Sequence, residues 1–124
     1  MEEIVTKTDW KLFRERLPGW QERFMEKLVN EYSKMLKDKS KPASEKFWKL
    51  EDRIKKDKRL TGVMCEMRKS EVVWNLISLC HEGAITLDDL DGFSDKLVER
   101  IKIAVELCYA RIFKDTDRGV LQES

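Results

Sequence analysis

The sequence predicts an all-α fold: a compact helical bundle of four main helices plus a short N-terminal helix, with no sheet. Apolar residues recur at helical spacing along much of the chain. Five Gly and two Pro in 124 residues are too few for the many turns of an all-β domain. A chain of this length is one domain's worth and buries a respectable core. Residues 1–114 are expected to form that domain, and 115–124 a frayed polar tail.

Thr8, followed by Asp9 in a first turn, reads as the cap of a short helix that ends near Leu17-Pro18. Pro18-Gly19 is expected to be a kink or tight turn, with a second helix resuming at Trp20. There Phe24, Met25, Leu28, Val29, Tyr32, Met35 and Leu36 share one arc. Lys37 to Ala43 is polar, holds Pro42 and reads as a loop. A third helix runs from a Ser44 cap to about Lys58 with a narrow stripe of Phe47, Leu50 and Ile54, while Trp48 lies off it, so it belongs at the edge. After Thr61-Gly62 a segment from Val63 to Glu82 is irregular through 66–71 and apolar nearly all round from Val72 to Cys80. Gly83 is placed as a helix C-cap, Thr86 to Leu90 as a single turn, and Ser94 as the cap of a last helix that fades near Lys114. The expected core is Phe13, Trp20, Phe24, Leu28, Phe47, Ile54, Val73, Leu76, Ile77, Leu97, Ile101 and Cys108.

The residues argue against catalysis. Cys65, Cys80 and Cys108 are an odd number in apolar surroundings with no C-x-x-C pair, and read as buried free thiols. His81 is the only histidine, so a tetrahedral zinc set is not assembled. Neighbours on a helix point about 100° apart, which makes Cys80 and His81 a poor dyad. Asp88, Asp89, Asp91, Asp95 and Gly92 suggest a calcium loop, but aligning Gly92 with the sixth position puts Leu87 first and Val98 twelfth, where carboxylates are needed. No glycine-rich phosphate loop is present. The expectation is a non-enzymatic protein without cofactor or metal.

Charge is distributed unevenly although the net is +1. Lys34 to Arg59 holds eleven basic and five acidic residues. Lys46, Lys49, Arg53 and Lys56 share an arc of the third helix, and the loop adds Lys37, Lys39 and Lys41, a set suited to phosphates or an acidic protein surface. A second candidate surface is apolar: Trp48 beside charged neighbours, with Ile103, Leu107 and Ala110 on the far side of the last helix, residue types that anchor protein interfaces. No secretory signal is visible, and the run Val72 to Cys80 is about half of what spans a bilayer, so a cytoplasmic protein without membrane contact is expected.

Asp9-Trp10-Lys11-Leu12-Phe13-Arg14 with Pro18-Gly19-Trp20-Gln21-Glu22, Lys46-Phe47-Trp48-Lys49-Leu50-Glu51, and Met67-Arg68-Lys69-Ser70-Glu71 with Gly83-Ala84-Ile85-Thr86 resemble a group of short uncharacterised proteins of Gram-positive bacteria. The resemblance covers roughly residues 1–105 and implies a compact helical protein, with no catalytic residue to carry over. A multidrug-transporter label on some of that group is at odds with the short apolar run. The functional expectation is binding to another protein, or to itself as a homodimer. The alternatives are a nucleic-acid-binding accessory protein using the basic segment and, by association with small charged products of phages and mobile elements, an inhibitor of a host nuclease.

Overall fold

The computed structural model describes residues 4–107, and every regular element among them is helical. Helix α1 spans Lys7–Leu36, α2 Ala43–Asp57 and α3 Val72–His81, and residues 95–107 form α4. Single 3-10 turns lie at Lys69–Glu71 and Leu87–Leu90.

The break expected at Pro18-Gly19 is absent: α1 runs straight through it for 30 residues. Asp9, Phe13, Leu17, Trp20, Phe24 and Leu28 are all buried and fall within an arc of about 100° on a continuous helix. Proline in a helix interior costs about 3 kcal/mol. Each fully buried side chain of the stripe contributes about 1.5–3 kcal/mol, so keeping five of them in phase outweighs the lost hydrogen bond. Pro18 itself faces solvent, and nothing lies within 4 Å of where a Cβ would stand on Gly19.

The cap also differs. Thr6, not Thr8, closes the amino end of α1: its hydroxyl accepts from the Asp9 amide at 3.0 Å, and the Asp9 carboxylate accepts the Thr6 amide at 3.0 Å. That carboxylate, 1% exposed, also accepts the Ser94 amide at 2.8 Å and the Ser94 hydroxyl at 2.6 Å. Ser94 opens α4, with the Val98 amide donating to its carbonyl. One acid thus satisfies the amino ends of two helices 85 residues apart in sequence. Burial works against its charge, but the hydrogen bonds from Ser94 and Thr6 prevail and hold Asp9 below the usual 3.8.

Around α1 close α3, α4 and the turn between them. Phe13, Trp20, Phe24 and Leu28 are buried with Leu76, Leu97 and Ile101 as expected, joined by Leu17, Val72, Leu79, Ile85, Leu90 and Phe93. Val73 and Ile77 pack against this core half-buried. Phe47 and Ile54 do not enter it and stand exposed on α2, and Cys108 lies outside the described residues, as do the tail 115–124 and the end of the last helix. Gly83 ends α3 as expected, at φ +79°, with the Ala84 amide on the Leu79 carbonyl and the Gly83 amide on that of Cys80. Asp89 accepts the Thr86 amide at 2.8 Å and pairs with Arg23 at 2.9 Å, which fastens the Leu87–Leu90 turn to α1.

The connection from α2 to α3 is irregular where the sequence is. Glu82 accepts the amides of Thr61 and Gly62 at 2.9 and 3.0 Å, and the Asn75 amide nitrogen donates to the Glu66 carbonyl at 2.9 Å. Gly62 lets this strand of chain lie directly on Phe24, because a Cβ there would stand 2.5 Å from a ring carbon.

Pro18→Ala should raise stability by about 1–2 kcal/mol in denaturant unfolding, since the restored amide completes the ladder of α1 at an exposed site. Asp9→Ala should lower it by about 2–4 kcal/mol, because charge-assisted bonds to two helix ends are lost together. Asp9 and Asp89 titrate below their unfolded value, so the unfolded chain takes up protons first. Their stabilisation is complete above the ordinary carboxylate range and is lost as pH falls through it and below; urea midpoints from pH 6 down to about pH 3 check this, with a shallower decline expected in Asp9→Asn.

Candidate functional site

Helix α2 buries no residue. Pro42 precedes it without a side-chain cap, so it starts at Ala43 rather than behind a Ser44 cap. Its attachment to α1 is polar. Arg53 pairs with Glu31 at 3.0 Å and Asp57 at 3.6 Å and lies over the Tyr32 ring at 5.4 Å. The Tyr32 hydroxyl donates to Asp57, and Lys46 donates to the Leu36 carbonyl at 3.0 Å. Burial, then the bond to Asp57, pushes Tyr32 up to about 12. As α2 runs from Lys46 to Asp57 its partners run back from Leu36 to Glu31, so the two helices form an antiparallel hairpin.

The apolar stripe of α2 borders this polar seam rather than opposing it: Leu50 is half-buried beside the seam, and Ile54 and Phe47, next round the helix, are left exposed at its margin. Phe47 is 62% exposed, Trp48 60% and Ile54 39%, and Phe47 and Trp48 meet edge to face at 5.0 Å. Val29 and Leu36 of α1 are exposed as well. Between the helices lies an almost wholly apolar cleft of about 240 Å³ lined by Met25, Leu28, Val29, Tyr32, Ile54 and Val63, together with Asp57 and Lys58. That is below the roughly 300–1,000 Å³ of small-molecule pockets and suits one apolar side chain of a macromolecule.

The basic set is divided. Arg53 and Lys46 are turned onto α1, and Lys41 pairs with Glu45 at 3.4 Å. Lys37, Lys39, Lys49 and Lys56 are exposed and form no ion pair among the described residues. The apolar set is divided too. Trp48 sits on α2, whereas Ile103 and Leu107 line an open trough of about 480 Å³ with Ile4, Val73, Trp74 and Ile77. Ala110 lies outside the described residues. Trp74, 65% exposed, is the anchor that the sequence reading missed. On the α3 wheel Val72, Leu76 and Leu79 share one side and Trp74 is opposite, a signal hidden by the hydrophobicity of the whole run.

Burial pushes the thiols of Cys65 and Cys80 up to about 11, further raised by nearby Glu82 and Asp89 respectively, so neither is a nucleophile near neutrality. His81 is exposed, and among the described residues no cluster of three His, Cys, Asp or Glu could hold a metal. No described helix is long and apolar enough to cross a membrane. No family model, curated protein or solved structure matches the chain.

Phe47→Ser and Trp48→Ser should each change the unfolding free energy by less than about 0.5 kcal/mol, whereas Phe13→Ala should cost about 3–5 kcal/mol. Thermal and urea unfolding of the three variants separate an exposed apolar surface from a misplaced piece of core.

Proposed function

We propose that the chain is a non-enzymatic, cytoplasmic helical bundle that acts by binding another protein through the outer face of the α1–α2 hairpin. The observation that carries this is α2 itself: a 15-residue helix that buries nothing and turns Phe47, Trp48 and Ile54 to solvent. Aromatic anchors beside an apolar cleft, rimmed by charge, are the make-up of a protein-binding hot spot. The raised thiols and the lone exposed histidine offer no chemistry to set beside it.

The trough formed by Trp74, Ile103 and Leu107 favours a second contact, self-association as a homodimer, because one patch meeting its own copy needs no other partner. Nucleic-acid binding through the basic segment has less support. Arg53, the residue best suited to phosphate, is held by Glu31 and Asp57.

The test pairs light scattering with affinity capture from extract of the cell that encodes the protein, using three proteins of equal thermal stability. These are the wild type, Phe47→Ser with Trp48→Ser, and Ile103→Ser with Leu107→Ser. A partner kept by the wild type and the α4 variant but lost from the α2 variant is the expected result. Dissociation of a dimer by the α4 variant alone assigns the trough to self-association. The same captured set for all three, or retention of nucleic acid alone at low salt, contradicts the proposal.

A further inference from the structure

The trough between α3 and α4, about 480 Å³, has apolar walls and a single charge. Val73, Trp74 and Ile77 form the α3 wall, and Arg100, Ile103, Ala104 and Leu107 recur at i, i+3, i+4 and i+7 on α4. Ala104 is half-buried and the other three are exposed, so the small side chain sits deepest and leaves the hollow between longer neighbours. Arg100 lies inside this arc, about 60° round the helix from Ile103 and 40° from Ala104. Its guanidinium has no ion pair or hydrogen bond among the described residues, and no described carboxylate lines the trough. The α4 acids Glu99 and Glu106 lie about 100° and 120° round the helix from Arg100, beyond Ile103.

The hollow is within the roughly 300–1,000 Å³ of small-molecule sites, and one unpaired cation among apolar walls matches an apolar body with an anionic head. Hydrocarbon covered by Trp74, Ile103 and Leu107 supplies affinity, and the planar guanidinium takes a carboxylate through two parallel hydrogen bonds. We infer that the trough binds a free single-chain amphiphilic carboxylate, a medium-chain fatty acid in chemical class, with its head on Arg100 and its chain along Ile103 and Leu107. The inference goes beyond the protein-binding reading, which stands on the α1–α2 hairpin. A ligand and a second copy cannot share the trough, so the two compete for it.

Other occupants fit less well. A nucleic acid is held by a track of cations along its phosphates, and the trough has one. A bilayer takes up side chains that project from a surface, whereas this surface is concave, with Ala104 set back between its walls. A second copy laid over the trough would bury Arg100 and would have to bring a carboxylate to it, since an unpaired buried charge is costly. A fatty acid carries that carboxylate itself.

Isothermal titration of the intact chain tests this with decanoate and with decyltrimethylammonium, the same chain under a cationic head, each below its micelle concentration. Decanoate should bind once per chain with a Kd at or below about 1 mM, at least about tenfold tighter than the ammonium. Octanoate should bind more weakly, by about two- to fourfold for each methylene removed. Arg100→Gln, at an exposed site, should unfold like the wild type, lose about tenfold in affinity for decanoate and leave the ammonium unchanged. Ile103→Ser with Leu107→Ser should lose both ligands, and Phe47→Ser with Trp48→Ser should keep both. Equal affinity for the two heads, or wild-type decanoate binding in Arg100→Gln, overturns the inference. So does loss of decanoate in the α2 variant, which would move the site to the hairpin. Absence of decanoate binding overturns it and leaves protein capture by the hairpin standing. Sedimentation of the chain with phosphatidylcholine–phosphatidylserine vesicles, without binding of decanoate one per chain, overturns it in favour of a membrane surface.

Discussion

The Asp9 carboxylate joins the amino ends of α1 and α4, and the closed part of the molecule is organised around that junction. A helix start leaves amides without partners and concentrates positive dipole there, so one acid placed between two such ends neutralises both. Its position in phase with Phe13, Leu17 and Trp20 means that the apolar stripe of α1 begins where α4 begins. Leu97 and Ile101 are then delivered onto that stripe. The turn at Leu87–Leu90, fixed by Thr86, Asp89 and Arg23, returns the chain to the same end. Phe93, beside Trp20, fills the space between.

Because α1, α3 and α4 close the core among themselves, α2 has no apolar role in it. Its inner face is occupied by Arg53, Asp57 and Lys46, which bond to Glu31, Tyr32 and the end of α1. Leu50 is half-buried beside these contacts, while Ile54 and Phe47, next round the helix, stay exposed at their margin and Trp48 faces away from them. This exposure links the fold to the function proposed, since apolar side chains on a helix fixed in place are preorganised for a partner, with little ordering cost on binding. Exposed ion pairs such as that of Arg53 contribute modestly to stability, so α2, which has no buried residue, is held to the molecule more weakly than α1 is.

Much of the helical content was legible in the sequence. The Gly83 cap, the Ser94 start and the edge position of the third helix follow from local chemistry that tertiary packing did not override. Pro18 misled because a local rule was read without the phase beyond it: Phe13, Leu17, Trp20, Phe24 and Leu28 stay in register through the proline, and continuity of register reports a single helix. The burial expected of Phe47 and Ile54 failed for another reason. A periodic stripe shows that a helix has an apolar side but not how far the molecule covers it, and the partners that set the rotation of α2, Glu31 and Tyr32, are more than twenty residues away. Trp74 was hidden by composition, since α3 is apolar on both sides and only the buried Asn75, with its distant Glu66 carbonyl, marks the orientation. The basic stripe was legible as composition, whereas its division between intramolecular pairing and free lysines was not.

Native-state hydrogen exchange most directly tests the claim that the core closes without α2. Amides of α2 should exchange through local openings well below the global unfolding free energy, while those of α1 from Phe13 to Leu28 and of α3 and α4 at Leu76, Leu79 and Leu97 should approach the global value. Protection of α2 equal to that of α1 would contradict the account, since it would make α2 part of the cooperative core rather than an attached helix with an open face.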